Sequence, residues 1–351
     1  MQSLERVRRV LADQPVDRLP VQPVLMMYAA RNAGVPYIDY VRDGARLADA
    51  QLKIAEGYGI DCVQVISDPA RELIDIAGDE SIAWEDSGPA IVEDRAALSD
   101  KRRLTSLRLP DPLGEGRMHD RIRAIETLRR TAGGGMSIVG WVEGPLALGA
   151  ELRGLNNLMT DFHDDPVFVS DLLQFSSDVA IRFWEPQVDA GADTIGMSDA
   201  AASMIGPDLY ARFVFPAQLR VIAAIKSKHP GVIVRIHMCG QISQLLQKAR
   251  ELPADIFEID YPVDLREARA VLGPGPVILG NVSTVGVMLN GTPEQVYEAA
   301  RRCHGISGPR HIVGTGCEVS PLTPPENLRA LVAYACDHRP EDLPEPSSSD
   351  D

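Results

Sequence analysis

One histidine and two cysteines carry the strongest chemical signal in this 351-residue chain. The apolar run Val232-Ile233-Val234-Arg235-Ile236 delivers His237 and Cys239, and a second run, His311-Ile312-Val313-Gly314-Thr315-Gly316, delivers Cys317. A His-Cys-Cys set suits zinc, which accepts imidazole nitrogen and thiolate sulfur and keeps a fourth position open in catalytic sites. His237 and Cys239 alone would fit an ordinary core equally well, because free cysteine is among the most buried residue types. Cys317 at the end of another apolar run tips the reading towards a metal.

Other polar residues fall at similar places. Asp68, Glu143, Asp199, Asp260 and Asn281 all close apolar runs, and Glu258 shares a strand face with Asp260 by alternation. Glu258 or Asp260 could lend an oxygen to the open metal position, with Glu258 favoured. Asp68, Asp199 and Asn281 are candidates for orienting a substrate or supporting His237, and Glu143 for an inward place at the mouth. Cys62, Cys303 and Cys336 open a strand or end helices and read as buried or half-buried thiols. Cys303 and His304 are adjacent on a helix end and point in different directions. Gly133-Gly134-Gly135 precedes a strand instead of opening a helix, so it lacks the geometry of a phosphate cradle.

The elements that must position these groups repeat. Apolar runs at 21–27, 62–67, 137–143, 194–198, 232–236, 256–260, 277–281 and 311–316 alternate with helical sequence, including 45–58, 120–131, 166–190, 207–228, 293–303 and 325–336. Eight such units predict an α/β fold, a (β/α)8 TIM barrel, with reactive groups at the C-terminal ends of its strands. Residues 77–118 break the rhythm with two short β-like pieces around Asp86-Ser87-Gly88-Pro89, which predicts a hairpin and loop inserted after strand 2, over one mouth. The expected organisation is one catalytic domain over 1–343, beginning with a helix at 4–12, and a disordered tail at 344–351.

Composition narrows the function classes. Hydrophobic residues make up 45% and charged residues 24% of the chain, ordinary values for a globular protein. A net charge of -15 argues against a nucleic-acid partner, which is bound by releasing counterions with Lys and Arg. No apolar run is long enough to span a membrane, and the N-terminus lacks a signal peptide's apolar centre, so a cytoplasmic location is expected. Five cysteines spread over the chain do not form a secreted disulfide framework.

Several motifs together resemble the uroporphyrinogen decarboxylase superfamily, and within it the corrinoid-dependent methyltransferases. They are H-M-C-G at 237–240, D-Y-P-V-D-L at 260–265, G-N-V-S-T at 280–284 and G-T-G-C-E-V-S-P-L-T-P-P-E-N at 314–327, with G-I-D-C-V-Q-V-I-S-D at 59–68 and L-R-G-L at 152–155. The resemblance implies that His237, Cys239 and Cys317 hold zinc. It also implies methyl transfer between a corrinoid and a small acceptor or donor: a coenzyme M-like thiol, tetrahydrofolate, or a methoxy or methylamine-type compound. The chain lacks the D-x-H-x-x-G signature of corrinoid-carrying proteins, so the corrinoid is expected on a separate partner protein. A homodimer is compatible with the reading.

A zinc-bound thiol is deprotonated and therefore nucleophilic at neutral pH, which is what attack on a methyl group requires. Two alternatives stay open. A cofactor-independent decarboxylase would use the same scaffold, but where that branch has M-R-Q-A-G-R this chain has M-M-Y-A-A-R-N-A-G at 26–34. A barrel that only binds a corrinoid or small ligand, with a structural zinc, is the non-enzymatic alternative.

Overall fold

The structure is a computed structural model and describes residues 1–344. Seven parallel strands form one sheet in the order β1 (Cys62–Gln64), β4 (Ser137–Glu143), β5 (Thr194–Ser198), β6 (Ile233–Met238), β7 (Ile256–Ile259), β8 (Val277–Gly280) and β9 (His311–Ile312). The strands are buried along their whole length. That is why they read as nearly continuous apolar runs, as expected for a parallel sheet covered on both faces. The helix Gly44–Tyr58 precedes β1, and helices such as Pro166–Asp189, Phe215–Lys228 and Pro293–Ser307 lie between consecutive strands of the sheet in the chain. The last of these opens with a capping box, in which Thr292 and Gln295 satisfy each other's backbone N–H groups.

The residues read as a first strand at 21–27 pair only in part. Val21 bridges Val313 and Val24 bridges Glu318, both in parallel. Gln22 N donates to Val313 O (2.8 Å), while on the other side Asp61 N, just before β1, donates to Val21 O (2.9 Å). The segment thus bonds to both edges of the seven-stranded sheet, which gives a TIM-barrel-like fold. It stops short because Met27–Ala33 is a helix. The last strand is also shorter than the 311–316 run, since Val313 and Thr315 bridge different neighbours, Val21 and Val282.

The helix Ser3–Leu11 closes one end. Leu4, Val7 and Val10 pack with Val16 against Ile233, Ile256 and Val277, the first residues of β6, β7 and β8. Arg6 and Arg18 both pair with the buried Asp61, which also accepts from Val21 N (2.9 Å). The floor being filled, chemistry is left to the opposite end, where the strands deliver their C-terminal residues.

β2 (Ile82–Glu85) and β3 (Gly88–Ile91) pair as an antiparallel hairpin within 77–118. The short helices Met27–Ala33, Tyr37–Arg42 and Ala70–Ala77 were not legible as helices, being only two turns or less. The expected helix 207–228 is interrupted by a π-helical turn, Tyr210–Val214. Pro216 explains the break, because it has no N–H to donate and its ring would meet the carbonyl four residues back. The expected disordered tail lies, apart from Pro344, outside the described residues. No helix among the described residues is long and apolar enough to cross a membrane.

Candidate metal centre and active site

β6 alternates its side chains, so Arg235 and His237 face the same interior, with Cys239 in the turn beyond. In the parallel register His237 stands beside Glu258 of β7. Glu258 receives Arg235 Nε at 2.9 Å and Nη2 at 2.5 Å, an ion pair with both side chains inaccessible to solvent. His237 Nδ1 lies 3.5 Å from Glu258 Oε2 without a hydrogen bond, while Nε2 points the other way and lies 3.0 Å from Cys239 Sγ.

Two turns bring the sulfurs together. Asp260 takes Gly240 N at 2.6 Å and Tyr261 N at 2.7 Å, which fixes the turn after Cys239. Gly316 allows the turn before Cys317 to press onto the turn after β7: a Cβ there would stand 2.3 Å from Tyr261 N. Thr315 Oγ1 donates to Cys317 O at 2.7 Å. One ligand atom each from His237, Cys239 and Cys317 then lies within 4.8 Å of the others, and among the described residues this is the group that could hold a metal ion.

The protons of this trio are shared unequally. Hydrogen bonding from Cys239, helped by His237, pulls Cys317 down to about 4, while the same bond and burial push Cys239 far up. Burial would lower His237, but Glu258 and Cys317 outweigh it and raise it to about 9. One imidazole nitrogen and two sulfurs so close together form a donor set that fits a thiophilic cation such as zinc, whose binding would displace their protons.

These three residues open into a cavity of about 210 Å³ walled by Val24, Met26, Ile66, Pro69, Trp141 and Ala200. Three carboxyl groups also reach it. Asp68 is held by Arg117 through Nη1 at 2.8 Å and Nη2 at 2.6 Å and by Ser67 Oγ at 2.6 Å. Glu143 has Arg71 Nη2 at 3.5 Å, and Glu318 accepts from Met27 N at 2.7 Å. Burial raises Glu318 to about 7.

The remaining candidates stand elsewhere. Asp199 does not line the cavity: it takes Ala147 N at 2.9 Å in the first turn of the helix Pro145–Arg153 and Gln218 Nε2 at 2.6 Å. It packs on Gly144, where a Cβ would lie 2.3 Å from its Cγ, and burial lifts it to about 6. Asn281 donates to Asp260 O (3.2 Å) and Val263 O (2.9 Å), so it braces the turn after β7. Glu258 stands behind His237 with both oxygens on Arg235, so the geometry does not offer it as the fourth metal donor. Cys62 and Cys303 are buried, but Cys336 is exposed.

Sequence reasoning missed Glu318, Arg71, Arg117 and Arg235. Glu318 directly follows Cys317 in the G-T-G-C-E motif, and Arg235 is a charge inside the otherwise apolar run 232–236. Either oddity could have marked it.

Asp68 supports a pH prediction. Burial alone would raise its pKa, but the Arg117 guanidinium outweighs that and holds it below the usual carboxylate value. A depressed folded pKa contributes stability above the unfolded value of about 3.9, and that contribution is lost as pH falls through the folded value. Asp68→Asn should cost about 2 kcal/mol at pH 7 through lost charged hydrogen bonds. In urea titrations the gap to wild type should narrow below about pH 4. A gap unchanged between pH 7 and pH 3 would contradict this role.

A trio that could hold a metal ion thus opens onto a mostly apolar cavity at the strand ends of a TIM-barrel-like fold. The chain belongs to the uroporphyrinogen decarboxylase (URO-D) family, whose profile matches residues 2–338. It is 34% identical over 234 residues to a methylated-thiol–coenzyme M methyltransferase of Methanosarcina mazei, covering 66% of this chain and 61% of that protein. To the methylcobamide:CoM methyltransferase MtbA of Methanosarcina acetivorans it is 26% identical over 345 residues, covering 95% and 98%. A solved methyltransferase from Methanosarcina mazei shares the fold, with a TM-score of 0.86 at 20% identity over 96% of this chain and 99% of that one. The family reading and its methyltransferase branch are borne out.

Proposed function

We propose that this chain is a corrinoid-dependent methyltransferase that moves a methyl group from a corrinoid, carried by a separate protein, to a small thiol. The sheet with its 21–24 segment is read as a closed (β/α)8 barrel forming one catalytic domain, with the 77–118 hairpin region set over the mouth. The observation that carries the proposal is the convergence of His237, Cys239 and Cys317 at the cavity. These residues would hold zinc, which when bound supplies the Lewis acidity that keeps an acceptor thiol deprotonated. Glu258, locked by Arg235, stands 3.5 Å behind Nδ1 and would favour the imidazole electrostatically while Nε2 faces Cys239 Sγ. Trp141, Met26 and Val24 keep water from the acceptor sulfur. In the transfer the carbon–cobalt pair stays with cobalt, a sulfur lone pair makes the new carbon–sulfur bond, and the thiol proton passes to solvent.

The decarboxylase alternative has less support, since no Lys or Arg lines the cavity to receive a polycarboxylate. Zinc-replete protein should demethylate methylcobalamin in a thiol-dependent manner, followed by its visible spectrum. Chelation should stop the reaction and added zinc restore it. No demethylation with thiols or with tetrahydrofolate would overturn the proposal.

A further inference from the structure

A second cavity of about 330 Å³ adjoins the one at the trio, with Pro69 and Ala200 lining both. The second is bounded by the helix Pro145–Arg153 and by Ile91 of the hairpin, and it carries Glu93 and Glu151. Glu151 is 7% exposed, and its Oε2 has no hydrogen-bond partner. A buried carboxyl group facing a cavity with nothing to satisfy it marks a place where a ligand supplies the missing donor.

The surrounding charge has one sign. Asp68, Glu143 and Glu318 line the first cavity and Glu93 and Glu151 the second, and neither is lined by Lys or Arg. The nearby guanidinium groups stand behind the cavity walls, Arg117 on Asp68 and the fully buried Arg71 on Glu72 and Glu143, with Arg71 Nε and Nη1 unpartnered. Asp68, Glu72 and Glu143 thus share Arg117 and Arg71, while Glu151 has none of these ion pairs. An anionic tail entering here would meet carboxyl groups and no Lys or Arg on either lining. A cationic tail would find Glu143 and Glu151.

Taking the methyl-transfer reading as given, we propose that the small substrate carries an ammonium group, seated between Glu143 and Glu151 while its sulfur faces His237, Cys239 and Cys317. Burial holds both carboxyl groups well above the usual range, with Glu72 adding to the rise at Glu143 and Glu143 to that at Glu151, which a bound cation would relieve. Coenzyme M, named in the relatives, carries a sulfonate, so the preference would set this chain apart from them.

The test uses three two-carbon thioethers that differ only in terminal charge: 2-(methylthio)ethylamine, 2-(methylthio)ethanol and 2-(methylthio)ethanesulfonate. In calorimetric titrations of the whole chain at pH 7, the amine should bind about tenfold or more tighter than the sulfonate, with the alcohol between. Glu143→Gln and Glu151→Gln should each narrow that ratio, with melting temperatures recorded to exclude misfolding. Equal or tighter binding of the sulfonate, or no binding of any of the three, overturns the proposal on wild-type protein alone. Methylcobalamin demethylation with the corresponding free thiols separates the two ideas. If the amine preference holds and none of the thiols is methylated, the transferase reading fails while the cation subsite stands.

Discussion

Cys317→Ala should abolish thiol-dependent demethylation of methylcobalamin and release the bound metal, leaving the chain folded. Removing an outer partner of a metal ligand typically costs about 10–100-fold in metal affinity or activity, so loss of a ligand itself should exceed about 100-fold. The fold should survive because Cys317 is in a turn after β9 and its sulfur faces the cavity; the packing there rests on Gly316 and Thr315. Circular dichroism and metal content of the same preparation check both halves. A variant that keeps its metal, or one that unfolds, would contradict the assignment.

Glu258→Leu should destabilise the chain by about 3–5 kcal/mol, the penalty for leaving Arg235 buried without its countercharge. Both side chains are inaccessible to solvent, so bulk water does not replace the lost carboxylate. The double variant Arg235→Met, Glu258→Leu should recover most of that stability, since an apolar pair of similar volume often replaces a buried ion pair at little cost. It should still bind metal about 10–100-fold more weakly, because His237 loses the carboxylate behind Nδ1. Denaturant unfolding and metal titration of the three variants measure this. A Glu258→Leu loss below 1 kcal/mol would show that Arg235 finds another partner.

Much of this arrangement was legible in the sequence, for a physical reason. Parallel strands buried on both faces must be apolar throughout, so β4 to β8 announced themselves, and polar residues ending such runs had to stand at the mouth. His237, Cys239, Cys317, Asp68 and Glu143 reach the cavity as that rule requires. The rule could not tell which polar residues are consumed by the backbone. Asp199 and Asn281 sit at the same strand ends, yet one serves the first turn of the helix Pro145–Arg153 and the other ties down the turn after β7. Glu258 shows the opposite limit: alternation placed it inside correctly, but only the register reveals Arg235 as its partner. The 21–24 segment pairs through so few residues that its strand character came from apolarity alone.

Metal analysis of purified wild type beside Cys239→Ala is the most direct check on the central claim. The account predicts about one zinc per wild-type chain, as one His-Cys-Cys set can hold, and close to none in the variant. Wild type that takes up no zinc under reducing conditions with metal supplied, or a variant that retains it, would contradict the claim and return His237 and the two cysteines to the core.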